Sequence, residues 1–259
     1  MEFGAQLYTV REFTQTPEAL EKTLQKVSAM GYKNVHCSKL GSIEPERLRD
    51  LLQANHLKCV VTHANADQLF NDLPEVIRMH RTIGCENVGL SIMPEKYRGS
   101  LEGLRALIAD LKPILAQLQD AGLKFHYHNH DVEFIRVGNQ TLLDILLSEL
   151  PDAQQLLCAF WAQAGGADSV EIIRRYGERI NFIHVKDMVY KKGLIEVGQG
   201  RTMAPVLDGN MNYPAILEAC RREKAIQCVI VEQDICEEDP FICLEKGLHN
   251  LEAWRDGRK

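Results

Sequence analysis

No apolar run in this 259-residue chain approaches the roughly 20 residues needed to cross a bilayer. Met1-Glu2-Phe3 opens on strand-like sequence rather than on a basic and then apolar leader. A cytoplasmic protein without a membrane partner is therefore expected. The eight cysteines, at 37, 59, 85, 158, 220, 228, 236 and 243, contain no CxxC pair. That removes zinc ribbons and thioredoxin-type motifs and leaves most of them as small buried apolar residues instead of a disulfide framework. An excess of basic charge is also missing: the net charge is −6, with no footprint for nucleic acid. Neither a GxSxG elbow nor a Walker A sequence occurs. No linker or low-complexity segment interrupts residues 1–259, which read as a single domain.

Short apolar runs alternate with longer amphipathic stretches from end to end. Strands are expected at Phe3–Tyr8, Lys33–Ser38, Lys58–His63, Glu86–Ser91, Leu123–His128, Gln155–Phe160, Arg179–Lys186 and Ile226–Glu232. The intervening helices are Pro17–Met30 with Thr16 as cap, Glu44–Asn55 with Pro45 in its first turn, Pro74–Ile83, Ser100–Ala121, Thr141–Leu150, Asp168–Tyr176, Tyr213–Arg222 and Pro240–Trp254. Eight strand–helix units imply a parallel sheet closed as an α/β (β/α)8 TIM barrel. The rival open doubly wound sheet is disfavoured because strand one runs into Thr9-Val10-Arg11 with no glycine-rich phosphate loop. Asp187–Asn212, with glycines at 193, 198, 200 and 209, is the longest irregular stretch, and its length suits a functional loop such as a lid.

Three of the nine histidines stand at 126, 128 and 130. On a strand they project to one side and concentrate imidazole nitrogen there. Other reactive residues fall at strand C-terminal ends, where barrel enzymes build their sites: Gln6, Tyr8, His36, Ser38, His63, Asn65, Cys158, His184, Lys186, Glu232 and Asp234. Parity places Phe182, His184 and Lys186 on one face of strand seven, and Ile230 with Glu232 toward the axis in strand eight. His128, His184 and Glu232, with His130 and Glu133 as further candidates, offer imidazole and carboxylate ligands for Mn, Co, Fe or Zn. Glu232, Lys186, Asp187 and His63 are acid/base candidates, and Gln6, Asn65 and Gln233 suit a polyol. Trp161 could form a sugar platform or packing at the barrel mouth. His56, His80 and His249 lie on helical stretches and are expected on the surface.

The chain resembles the xylose isomerase-like TIM-barrel superfamily of sugar-phosphate isomerases/epimerases, keto-sugar 3-epimerases, inosose dehydratase and endonuclease IV. The resemblance rests on Gln6-Leu7-Tyr8-Thr9-Val10-Arg11, Gly31-Tyr32-Lys33-Asn34-Val35, Tyr127-His128-Asn129-His130-Asp131 with Glu133-Phe134, and Phe160-Trp161. It continues in Gly165-Gly166-Ala167-Asp168, His184-Val185-Lys186-Asp187, Asp208-Gly209-Asn210 and Val231-Glu232-Gln233-Asp234. It implies one divalent metal ion (Mn, Co, Zn, Mg or Fe) held from strands five to eight by a Glu, Asp, His, Glu set. Those positions here are His128, Cys158, His184 and Glu232. Cys158 departs from the family's aspartate, which points either to thiolate ligation or to a weakened site. The implied activity is isomerisation or epimerisation of a small-molecule carbohydrate, a keto-sugar or keto-polyol. Glu232 would move the proton, with Lys186 or His63 stabilising the enediolate. Tyr8, Gln6, His36, His130, Glu133 and Trp161 would bind substrate. A lyase of the same superfamily, or a non-catalytic sugar-binding relative, is the alternative. Homo-oligomers are common in the superfamily.

Overall fold

Alternate side chains of a strand face opposite sides of its sheet, so a barrel strand serves an inner and an outer surface at once. The computed structural model describes residues 1–190 and 200–258. Its barrel strands are β1 (Glu2–Gln6), β2 (Asn34–Cys37), β3 (Lys58–Ala64), β4 (Asn87–Leu90), β5 (Lys124–His128), β6 (Gln154–Cys158), β7 (Ile180–Val185) and β8 (Cys228–Val231). All neighbours pair in parallel in the order β1-β8-β7-β6-β5-β4-β3-β2, and β2 pairs back with β1 to close the barrel. The expected (β/α)8 architecture is present.

The helices are α1 (Pro17–Ala29), α2 (Pro45–Ala54), α3 (Ala66–Asn71), α4 (Leu73–Ile83), α5 (Leu101–Asp120), α6 (Leu142–Glu149), α7 (Ala159–Ala164), α8 (Ser169–Tyr176), α9 (Tyr213–Arg222) and α10 (Pro240–Arg255). Local sequence explains their limits. In α1 the Thr16 side chain accepts from the Ala19 N–H, Pro17 occupies the first turn, and Leu20, Leu24 and Val27 form the buried stripe. α4 ends at Gly84, whose φ of 70° is the left-handed conformation that glycine adopts without a Cβ clash. Among the described residues, no helix is long and apolar enough to cross a membrane.

Two apolar regions result. The outer faces of the strands, including Ala5, Val35, Val88, Phe125, Ile183 and Val229, join the helices in the main core. A smaller cluster of Val60, Val61, Leu156, Phe182, Cys228 and Ile230 plugs the barrel interior. The inner faces of β7 and β8 therefore begin apolar, with Phe182, Cys228 and Ile230, and turn polar toward their C-terminal ends.

Several boundaries differ from expectation. β1 stops at Gln6, and Leu7–Phe13 winds into a 3-10 helix that carries Tyr8. β6 stops at Cys158, so Phe160 lies on α7, together with Trp161, instead of ending the strand. The stretch expected to be irregular contains an antiparallel ladder between Asp187–Tyr190 and Arg201–Ala204. Residues 191–199, with Gly193 and Gly198, lie outside the described residues. His56 and His249 are exposed as expected, but His80 is fully buried. Its Nδ1 lies 2.7 Å from the Val76 carbonyl and its Nε2 2.7 Å from Thr62 Oγ1. The ring is thus a neutral bridge from α4 to the outer face of β3, and burial lowers its pKa.

Candidate active site

β5, β7 and β8 deliver His128, His184 and Glu232 to one place because each follows the inward parity of its strand. Their ligand atoms all lie within 4.8 Å of one another, as do those of His36, His63 and His184. His184 belongs to both sets. Its Nε2 lies 2.9 Å from His36 Nδ1, and its Nδ1 lies 3.1 Å from Glu232 Oε2 without hydrogen-bond alignment. A neutral imidazole carries one N–H. The Nε2 of His184 is engaged by His36, and its Nδ1, beside the carboxylate, has no hydrogen-bond partner. His128 donates from Nδ1 to the Ser91 carbonyl at 2.9 Å, so its buried Nε2 is a free lone pair. Two orphaned imidazole nitrogens beside a carboxylate oxygen suit a divalent cation.

Burial pushes the His36, His63 and His128 pKa values well below the ordinary histidine range, and neighbouring imidazoles add to the effect. His130 is lowered to about 4, first by burial and then by the Lys186 charge. These rings are neutral near pH 7, the state in which imidazole binds metal. Ring centroids separate His36 from His63 by 4.2 Å, His63 from His128 by 5.0 Å and His128 from His184 by 4.8 Å.

Lys186 supplies the positive charge. Its Nζ lies 2.8 Å from Glu232 Oε2 and 2.8 Å from Asp234 Oδ2, with the side chain only 1% exposed. Burial opposes the ammonium, but the two carboxylates outweigh it and raise the Lys186 pKa. Burial likewise opposes ionisation of Glu232, and the Lys186 ammonium reverses that, holding the carboxyl well below its usual range. The pair is charged, with Glu232 a carboxylate and Lys186 an ammonium. The Tyr213 hydroxyl donates to the Lys186 carbonyl at 2.7 Å and accepts from its N–H at 3.0 Å, pinning the residue where β7 ends.

A cavity of about 1020 Å³ opens over this centre. Tyr8, His63, His128, His130, Trp161, Lys186 and Glu232 line it, so these sequence candidates converge. Trp161 and His130 form one wall, with ring centroids 5.3 Å apart and an interplanar angle of 35°. His63 is held by Ser38, whose Oγ lies 3.2 Å from Nδ1. Gln6, His36, Cys158, His184 and Glu133 are each fully buried and do not line the cavity.

Several sequence candidates stand outside the cavity lining. The Glu133 carboxylate accepts from the Tyr127 hydroxyl at 2.7 Å and the His130 N–H at 2.7 Å, organising the turn that presents His130. Cys158 joins neither donor set, and burial pushes its thiol up to about 12. Asp187 is occupied by four backbone N–H groups, those of Met188, Leu207, Gly209 and Met211, and orders the segment after β7. Gln6 and His36 are also fully buried, and His36 touches His184. Asn129 was not singled out. Its side chain accepts from the Cys158 N–H and donates to the Cys158 carbonyl, extending the β5–β6 pairing past the last strand residues. Such a clasp has no sequence signal beyond a polar residue at a strand end.

The architecture is that of a (β/α)8 barrel with an imidazole-rich polar centre at the C-terminal ends of its strands. Residues 24–257 match the family model for the Xylose isomerase-like TIM barrel, and the chain belongs to that family. It is 23% identical over 270 residues to an inosose dehydratase of Lacticaseibacillus casei, covering 90% of this chain and 89% of that protein. Its fold is similar to a sugar phosphate isomerase/epimerase from Parabacteroides distasonis, with TM-score 0.77, 18% identity and coverage of 97% and 93% of the two chains. It is also similar to an L-ribulose 3-epimerase, with TM-score 0.76, 14% identity and coverage of 100% and 96%.

Proposed function

We propose that the chain is a metal-dependent sugar isomerase or epimerase acting on a keto-sugar or keto-polyol by proton transfer next to a carbonyl. The observation that carries this reading is Glu232, one ionised carboxylate placed between a donor set and a buried ammonium. His128, His184 and Glu232 would hold the divalent cation. When bound, that ion would polarise the substrate carbonyl. Glu232 takes the proton from the adjacent carbon, and the Lys186 ammonium stabilises negative charge that develops on oxygen. His63 and His130 line the cavity and would bind substrate hydroxyls, and Trp161 supplies an apolar wall.

One feature favours a lyase as the second reading. Glu232 is the sole carboxylate in either donor set among the described residues, whereas epimerisation by two carboxylate bases needs another on the opposite face. A lyase shares the first proton abstraction and then expels a β-substituent. The inosose dehydratase relative supports that reading. Incubation with keto-sugars in deuterated water separates them. Deuterium at the α-carbon with an otherwise unchanged mass indicates isomerase or epimerase, and loss of water or an aglycone indicates lyase. Absence of both products across keto-hexoses, keto-pentoses and keto-inositols with Mn, Co or Zn supplied would refute the enzyme reading.

A further inference from the structure

The histidines at the centre outnumber what one cation needs. His128, His184 and Glu232 form one donor set, while His36 from β2 and His63 from β3 form another with His184. In the second set the ring centroids lie 4.2, 4.9 and 5.6 Å apart. Nδ1 of His36 is engaged by His184, and Nδ1 of His63 by the Ser38 hydroxyl. Nε2 of both rings is buried without a partner. Each buried orphan of this kind costs about 1–3 kcal/mol, so two side by side call for a shared ligand. Lys186 does not serve them, because its ammonium is held by Glu232 and Asp234.

His184 stands between the two sets. It turns Nδ1 to Glu232 at 3.1 Å and Nε2 to His36 at 2.9 Å, one ring nitrogen toward each. Two nitrogens bound to one zinc ion at about 2.0–2.1 Å stand about 3 Å apart, so the His36–His184 contact already has the spacing of two ligands. The second set contains no carboxylate, and an all-imidazole set suits zinc or copper better than magnesium or manganese. Burial keeps His36 and His63 neutral near pH 7, the form that ligates. His63 is half-buried and lines the cavity, which gives an ion a way in.

We propose that His36, His63 and His184 form a second divalent-cation site, one that takes zinc or copper, and that His184 bridges it to the first site with one ring nitrogen on each ion. The second ion would replace the N–H proton shared by His36 and His184. That proton leaves to solvent, and His184 becomes an imidazolate ligated on both nitrogens. The proposal rests on the Proposed function only in taking His128, His184 and Glu232 as the first site.

Metal stoichiometry of the full chain tests it. Chelator-stripped protein is loaded with zinc or copper(II), desalted and assayed for bound metal. The parent should hold two ions per chain. His36→Gln and His63→Gln should each hold one, and that retained ion shows that the variant folds. If His36→Gln does not fold, His63→Gln, at the half-buried position, decides. Glu232→Gln should also hold one, at the second site. In the copper-loaded parent the spin-resonance intensity per ion should fall as the second equivalent binds, because an imidazolate couples the two spins. In the three variants it should not fall. One ion in the parent, two in both histidine variants, or two uncoupled spins in the parent would overturn the proposal. A single ion lost in Glu232→Gln and kept in both histidine variants would leave the Proposed function standing and sink the second site. Two ions in Glu232→Gln with one in each histidine variant would do the reverse.

Discussion

Replacing Lys186 by methionine isolates the electrostatics of the site. The ammonium stands 2.8 Å from Glu232 Oε2, which at an effective dielectric constant of about 20 corresponds to about 6 kcal/mol of attraction. Part of this is offset because the variant no longer desolvates an ammonium. The carboxylates that remain are 5% and 20% exposed, so water solvates neither fully. The expected net loss of stability is about 3–5 kcal/mol at pH 8, typical of a buried pair deprived of one partner. The loss depends on pH. In the native protein the Glu232 pKa is held down, so its contribution is present above the unfolded pKa of about 4.3 and disappears as pH falls through the folded value. Without Lys186, desolvation dominates and the folded pKa rises above the unfolded one. The carboxyl then favours folding at low pH and opposes it as pH rises through the new value. Urea unfolding of both proteins with chelator present should therefore show a larger difference at pH 8 than at pH 5. Added zinc should recover more stability in the variant than in the parent. A variant within about 1 kcal/mol of the parent at pH 8, well below the usual cost of breaking a buried pair, would refute the reasoning, as would a difference independent of pH.

Metal titration should separate His184 from Cys158: His184→Ala loses at least about tenfold in zinc affinity, whereas Cys158→Ala retains it, because only His184 belongs to a donor set. Equal losses would return the thiol to the metal site. Acid should destabilise the protein between about pH 6.5 and 4, because neutral buried histidines must gain protons on unfolding. His126, lowered to about 3 by burial and by the Lys124 charge, accounts for about 2 kcal/mol at pH 5, from about 1.5 pH units below an unfolded pKa of about 6.5 at about 1.36 kcal/mol each. Stability that stays flat over that window in chelator would contradict neutral imidazoles. Asp187→Ala should speed amide exchange at Leu207, Gly209 and Met211 and lower stability by about 2–4 kcal/mol, since several buried donors lose their shared acceptor. Unchanged exchange at those amides would show that the ladder alone orders the segment. At Gly89, an alanine Cβ would sit 2.5 Å from the Thr62 carbonyl oxygen and 3.1 Å from His63 Cδ2, so Gly89→Ala should displace His63 and weaken ligand binding, measurable by calorimetry.

The repeating units were legible because each strand or helix carries its own periodicity. The inward row of His126 and His128, the face shared by His184 and Lys186, and the axial position of Glu232 follow from the two-residue repeat alone. Boundaries were less legible where a helix starts directly from a strand end, as at Ala159, because Phe160-Trp161 continues the apolar run of β6 without a turn residue. His80 was misplaced for a different reason. Its helical position suggested solvent, and only the Thr62 hydroxyl on the outer face of β3 gave its Nε2 a buried partner.

The order of elements, the closed parallel barrel and the convergence of polar strand ends are properties of the sequence by itself, since they depend on local periodicity and on the handedness of strand–helix–strand connections. Which polar residues touch was decided only by tertiary structure. Strand tilt and register set whether a side chain at a strand end reaches the axis, and this is why Cys158 stands apart while His36 closes on His184. Charge state was likewise decided in three dimensions. Lys186 and Glu232 lie 46 positions apart, and their ionisation depends on a shared low-dielectric contact that no local pattern records.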